Sequence, residues 1–157
     1  MGHAVIVELQ PYPIKKEEWV DQEQLIEDVG ILYHTDYVGD CYNDINRKEY
    51  IKTELPELFF GIATVDPESE TVTFLKSEEI NKTIKDEIDK AVSFLRRNIA
   101  LEDSTFYNFR HIGNCFRHDY TIIWSELSSY TSAQFIEEAR YKAGETMYIG
   151  AIYDYHI

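Results

Sequence analysis

This 157-residue chain is poor in cysteine, glycine, proline and basic side chains, and each shortage excludes something. Its two cysteines, Cys41 and Cys115, are too few for a disulfide framework. No signal-peptide pattern opens the chain, so a cytoplasmic protein with free thiols is expected. The N-terminal apolar run "AVIVEL" is broken by Glu8 and is far too short to span a bilayer. The seven glycines build neither G-x-x-x-x-G-K-[ST] nor G-x-G-x-x-G, so the usual phosphate-cradling loops are missing. No G-x-S-x-G elbow exists, and "SELSSY" has no glycine to permit the strained turn of a nucleophilic serine. With four prolines scattered and no repeat or linker, the chain reads as one domain over residues 1–157.

The scarcest commodity is positive charge: 15 basic against 29 acidic side chains, a formal net charge of −14. The imbalance is concentrated. Residues 1–80 carry 18 acidic and 6 basic groups, for −12, whereas residues 81–157 carry 11 and 9, for −2. Such a field repels nucleic acid and anionic membranes and steers cationic partners toward the N-terminal half.

Apolar and aromatic residues are plentiful. The hydrophobic fraction is 44%, with 12 Tyr, 8 Phe and 2 Trp, and a chain of this length buries roughly 70% of its unfolded surface. "HAVIVELQP" alternates Val5, Val7 and Leu9 against Ala4, Ile6 and Glu8, a strand stopped by Pro11 and Pro13. Asp21 with Gln24 forms a capping-box pattern for a short helix ending near Gly30. "ILYHTDYVGDCYND" is ambiguous between strand and loop. From Asp44 a helix places Tyr50, Ile51, Glu54 and Leu55 at helical spacing until Pro56 ends it or opens a new turn. "LFFGIATVDPESETVTFL" reads as a hairpin with "DPESE" at its turn. Then Ile80, Ile84, Ile88, Ala91, Val92, Leu95 and Ile99 mark one face of a long helix begun at Ser77. "HDYTIIWSEL" is a strand, "TSAQFIEEARY" a capped helix, and "TMYIGAIYDYHI" a closing strand. In that last strand Met147, Ile149, Ala151, Tyr153 and Tyr155 would share one face, with Gly150 marking a bulge or a close backbone approach. The predicted class is α+β: a mainly antiparallel sheet of about five strands, with helices packed chiefly on one face.

Two groups of residues could carry function. "FRHIGNCFRHDY" holds His111, Cys115 and His118 at H-x3-C-x2-H spacing, and "YHTDY" adds His34 and Asp36 upstream, near Asp40 and Cys41. Converging, they would supply the nitrogen, sulfur and oxygen ligands of a zinc-dependent or acid–base enzyme. Against this, neither C-x2-C nor H-E-x-x-H is present, and on a strand His118 falls on the face opposite His111 and Cys115. The leading expectation is therefore no cofactor, with zinc as the alternative. The second group is Tyr148, Tyr153, Tyr155 and Asp154, a tyrosine-rich edge suited to partner contact.

The function expected is a non-catalytic acidic protein that docks on a basic surface of a protein partner, in an inhibitor, immunity or antitoxin-like role. Direct nucleic-acid or membrane binding is not expected. The competing readings are the enzyme above and a homo-oligomeric module, such as a homodimer, that pairs through the C-terminal strand.

Overall fold

The computed structural model describes residues 3–28, 37–40, 42–98, 121–126 and 128–156. The chain starts with β1 (His3–Gln10), whose neighbours are the closing strand β7 (Thr146–His156) and β5 (Ile122–Ser125). Together with the hairpin β3 (Ala63–Asp66) and β4 (Thr71–Phe74), and with β6 (Ser128–Thr131), the sheet runs β3-β4-β7-β1-β5-β6. A seventh strand, β2 (Tyr37–Gly39), pairs with the far end of β7. All pairings are antiparallel except β1 with β5. The α+β class therefore holds, with seven strands among the described residues in place of about five. The two extra strands are short: β2 lies in the ambiguous stretch, and β6 is a polar "SSYT" without hydrophobic alternation.

The helices follow their local signals. Gln24 N–H donates to Asp21 Oδ1 at 2.7 Å, the cap expected for α1 (Gln22–Asp28). Pro56 does not break the chain but sits in the first turn of α3 (Leu55–Leu58), directly after α2 (Arg47–Thr53). α4 (Ser77–Asn98) and α5 (Ser132–Ala139) are the remaining α-helices among the described residues. One face of the sheet packs Val7, Leu9, Val72, Phe74 and Ile152 against Ile51, Leu55, Ile80 and Phe135 of the helices. The other face is covered more thinly, with Ile6, Ile122, Trp124 and Tyr155 beneath Val20 and Leu25.

α4 departs from its predicted stripe. Ile80 and Ala91 are buried, but Ile88 is 50% and Val92 37% exposed. Its 22 residues extend about 33 Å, whereas the four-residue strands of the adjoining hairpin reach only about 13 Å. The second half of the helix overhangs the sheet.

The closing strand also differs from strict alternation. Ile152 faces Val7 and Ile149 faces Leu9, so Gly150 and Ala151 together oppose the single residue Glu8. This is the bulge anticipated at Gly150. It inverts the phase of β7: Met147 and Ile149 point to the helical face, and beyond the bulge Ile152 does so while Ala151, Tyr153 and Tyr155 point to the other. Gly150 is required because a Cβ there would collide with the Glu8 carboxylate and the Ile14 side chain.

The outer edge of β7 lacks a strand between the end of its β4 pairing at Tyr148 and the start of its β2 pairing at Asp154. Other groups fill the gap. Ile149 N–H donates to the Glu70 carbonyl at 2.9 Å, and Ile152 N–H donates to Asn43 Oδ1 at 2.7 Å. Arg47, only 6% exposed, donates from its two terminal nitrogens to the carbonyls of Gly150 (2.8 Å) and Ile149 (3.1 Å). The same guanidinium holds Glu70 Oε2 at 2.6 and 2.9 Å. Glu70 sits at φ 50, a left-handed conformation unfavourable for a side-chain-bearing residue, and the ion pair offsets part of that strain. Along the described residues both edges of β7 are thus occupied.

Two outcomes follow for chemical denaturation. Gly150→Ala is expected to lower stability by about 2 kcal/mol or more, through the collision with a buried carboxylate. Arg47→Ala should cost about 3 kcal/mol, because two carbonyls and a carboxylate lose their donor together. Glu70→Gln, which leaves both carbonyl bonds in place, should cost about 1 kcal/mol. Equal losses for the Arg47 and Glu70 variants would show that the carbonyl bonds contribute nothing.

Candidate partner-binding surface

Pro11 and Pro13 end β1 and turn the chain across the thinly covered face of the sheet. A 3-10 turn at Lys16–Glu18 follows, held by Lys15 N–H donating to Glu18 Oε2 at 3.0 Å. The chain then reaches the sheet at Val20, 3% exposed. Val20 N–H donates to Glu8 Oε2 at 3.1 Å, and the Tyr153 hydroxyl donates to the Val20 carbonyl at 2.8 Å. Glu8, itself 2% exposed, also accepts from Ala151 N–H at 2.9 Å and from Gln10 Nε2 at 3.0 Å. Three donors satisfy a carboxylate that would otherwise be costly to bury.

Beside this contact lies an open hollow of about 510 Å³, walled by Lys16, Trp19, Asp21 and Glu23 on one side and by Asp40 on the other, with Tyr153 in its lining. A second hollow of about 310 Å³ adjoins it, sharing Lys16 and Asp40 and adding Asp44 and Ile45. Four carboxylates therefore line the pair against one ammonium. That ammonium is not buried with its partner: Lys16 Nζ lies 3.8 Å from Asp44 Oδ1, with both side chains mostly in solvent, so the contact contributes little. Ile45, 93% exposed, stands as an apolar group on the rim. Trp19 stacks under the Arg47 guanidinium, 4.2 Å from its ring centroid.

The predicted site residues fall out as follows. His34, Asp36, His111, Cys115 and His118 lie outside the described residues, as does Cys41. Among the described residues no group of three or more His, Cys, Asp or Glu side chains is arranged to hold a metal ion. Of the tyrosine edge, Tyr148 and Asp154 are half-buried, while Tyr153 is 8% and Tyr155 1% exposed. The outward placement expected for Tyr153 and Tyr155 is therefore corrected: β7 is a central strand, and past the bulge its tyrosines point into the core under Val20 and Leu25. Sequence reasoning missed Lys16, Trp19, Asp21, Glu23 and Asp44 as a surface, because acidic residues are too common in this chain for any one to stand out. The available signal was the pair of prolines that turns this segment out of β1. Among the described residues no helix is long and apolar enough to cross a membrane.

No family model, no curated protein and no solved structure matches this chain.

Two tyrosines have elevated pKa values for clear reasons. Burial pushes Tyr50 well above the ordinary value of 10.0, with Tyr42 and Glu54 adding to the effect. Burial also raises Tyr153, reinforced by the negative charges of Glu8, Asp21 and Asp40. The unfolded chain would release these protons near pH 10 while the folded protein keeps them, so stability is intact below that pH and falls as pH rises toward the folded values. Urea midpoints measured from pH 8 to pH 11.5 should decline above about pH 10. The double variant Tyr50→Phe, Tyr153→Phe should flatten that decline; an unchanged slope would assign it to other groups.

Proposed function

We propose that the protein is a non-catalytic binding protein whose acid-rimmed hollow receives lysine or arginine side chains from a basic surface of a partner protein. The role is that of an inhibitor, immunity or antitoxin-like protein acting in the cytoplasm. The observation that carries the reading is the lining of the paired hollows, where among the described residues Asp21, Glu23, Asp40 and Asp44 stand against Lys16. All four carboxylate-bearing residues are exposed, so a cationic partner can approach them without a large desolvation cost, and their combined field speeds association. Ile45 and the Trp19 ring give the same surface an apolar component, which lets it discriminate shape as well as charge. The −12 charge of residues 1–80 adds long-range attraction to the same half of the chain.

The test uses a fluorescein-labelled peptide rich in arginine and lysine, with binding read by fluorescence anisotropy at low and high salt. Replacing Asp21, Glu23, Asp40 and Asp44 by their amides should weaken binding about tenfold at low salt and reduce its salt dependence. A control set with the same change in charge, Glu78, Asp86, Asp89 and Glu137 to amides, lies on the exposed faces of α4 and α5 and should leave affinity within about twofold. Equal weakening by both sets would show that net charge alone, and not this surface, attracts the peptide.

A further inference from the structure

We propose that residues 11–25 form a strap that opens as a unit while the sheet stays folded, and that a latch at Val20 sets whether it is closed. Both backbone polar groups of Val20 are held by side chains of the sheet: its N–H by the Glu8 carboxylate at 3.1 Å, its carbonyl by the Tyr153 hydroxyl at 2.8 Å. Elsewhere the strap is thinly attached. Val20 and Leu25 are its fully buried apolar side chains, Ile14 and Trp19 are half-buried, and Pro11 to Pro13 and Lys15 to Glu18 are exposed. Among the described residues its other polar ties across the chain are at the surface: Tyr12 Oη to Glu126 Oε2 at 2.7 Å, and the long Lys16–Asp44 contact at 3.8 Å. Trp19 lies against Arg47, yet its indole N–H is buried with no hydrogen-bond partner, a penalty that opening relieves.

A segment with few buried apolar contacts and a small number of specific bonds opens at lower free energy than the core it covers. The sheet beneath does not need the strap for its ladder, since β1 is paired from His3 to Gln10 with β7 and from Ile6 to Glu8 with β5. The Glu8 carboxylate is shared between the latch and the bulge: one of its oxygens accepts from both Val20 and Ala151. Opening the strap releases one of these bonds and leaves the other, so the bulge survives. Because Lys16, Trp19, Asp21 and Glu23 travel with the strap while Asp40 and Tyr153 stay behind, opening pulls the walls of the larger hollow apart. The latch thereby decides whether that surface exists. The inference stands on the geometry of Val20 and does not depend on what the hollow binds.

Residue-resolved amide hydrogen exchange on the full chain tests it. In the unmodified protein the amides of Val20, Gln24 and Leu25 should exchange faster than those of Ile6, Val72 and Ile152, through an opening insensitive to low urea. Tyr153→Phe should speed Val20, Gln24 and Leu25 together by at least about fivefold, with Val72 and Ile80 changed by less than about twofold. Glu8→Gln should act in the same direction, because an amide offers one acceptor where three donors converge. Lys85→Ala, an exposed position on α4 away from the strap, should leave all these rates alone. If Glu8→Gln does not fold, the Tyr153 variant decides. The proposal fails if strap and core amides exchange by one common opening, or if Tyr153→Phe accelerates every amide equally or none.

Discussion

A carboxylate buried in the middle of a central strand organises this molecule. Glu8 occupies the position in β1 opposite two residues of β7, and that one-against-two register is what the rest of the architecture is arranged around. A bulge leaves backbone groups without ladder partners, and a buried N–H with no acceptor is rarely tolerated. Here the stranded Ala151 N–H goes to the Glu8 side chain. The same oxygen fastens the covering strap through Val20, and the other oxygen accepts from the buried amide of Gln10. A single acceptor group thus links two strands and the layer above them. The absence of a side chain at position 150 is the steric condition for it.

Arg47 is the counterpart for carbonyl groups. It enters from the start of α2 and supplies the donors that a missing strand would have offered to Ile149 and Gly150. Its ion pair with Glu70 ties the hairpin turn to the same place, and its outer surface carries Trp19 of the strap. Buried charge is weak evidence of stability in general, because desolvation competes with attraction. At this position the guanidinium satisfies three acceptors at once, so its removal leaves the strand edge short of donors. The two ionised groups divide the work by chemistry: an acceptor for the orphaned amides, a donor for the orphaned carbonyls.

Much of this was legible in the chain, and the rest was not for identifiable reasons. The Asp21 cap, the "DPESE" hairpin, the two-faced strand through Trp124 and the helix burying Phe135 and Ala139 all follow from local pattern, and the structure has each of them. Gly150 announced a bulge, but pattern alone does not reveal that a bulge inverts every later residue of its strand. That phase slip moves Tyr153 and Tyr155 to the face opposite Met147 and Ile149, and they are core residues because both faces of this central strand are covered. The overhang of α4 was equally hidden, because the length of its partner strands is a tertiary fact. Lys16, Trp19, Asp21 and Asp44 came together only through the path of a proline-bounded segment over the sheet, which no periodicity encodes.

The acidic groups are unevenly distributed over the described residues. Along α4, acids and bases alternate on the outward surface, so the helix contributes little net field although it is rich in charge. Around the hollows the pattern is different: acids collect on the strap and on the 40–44 loop, and the one lysine among them is mostly in solvent. Like charges held on facing walls repel each other. Such repulsion opposes closure of the strap, and the Val20 latch, together with its apolar anchors, works against it. A cation arriving between the walls would remove the repulsion and favour the closed form. If the hollow takes a cation as proposed, charge complementarity and strap closure would be one equilibrium, since a ligand shifts a conformational balance by the difference in its affinity for the two states.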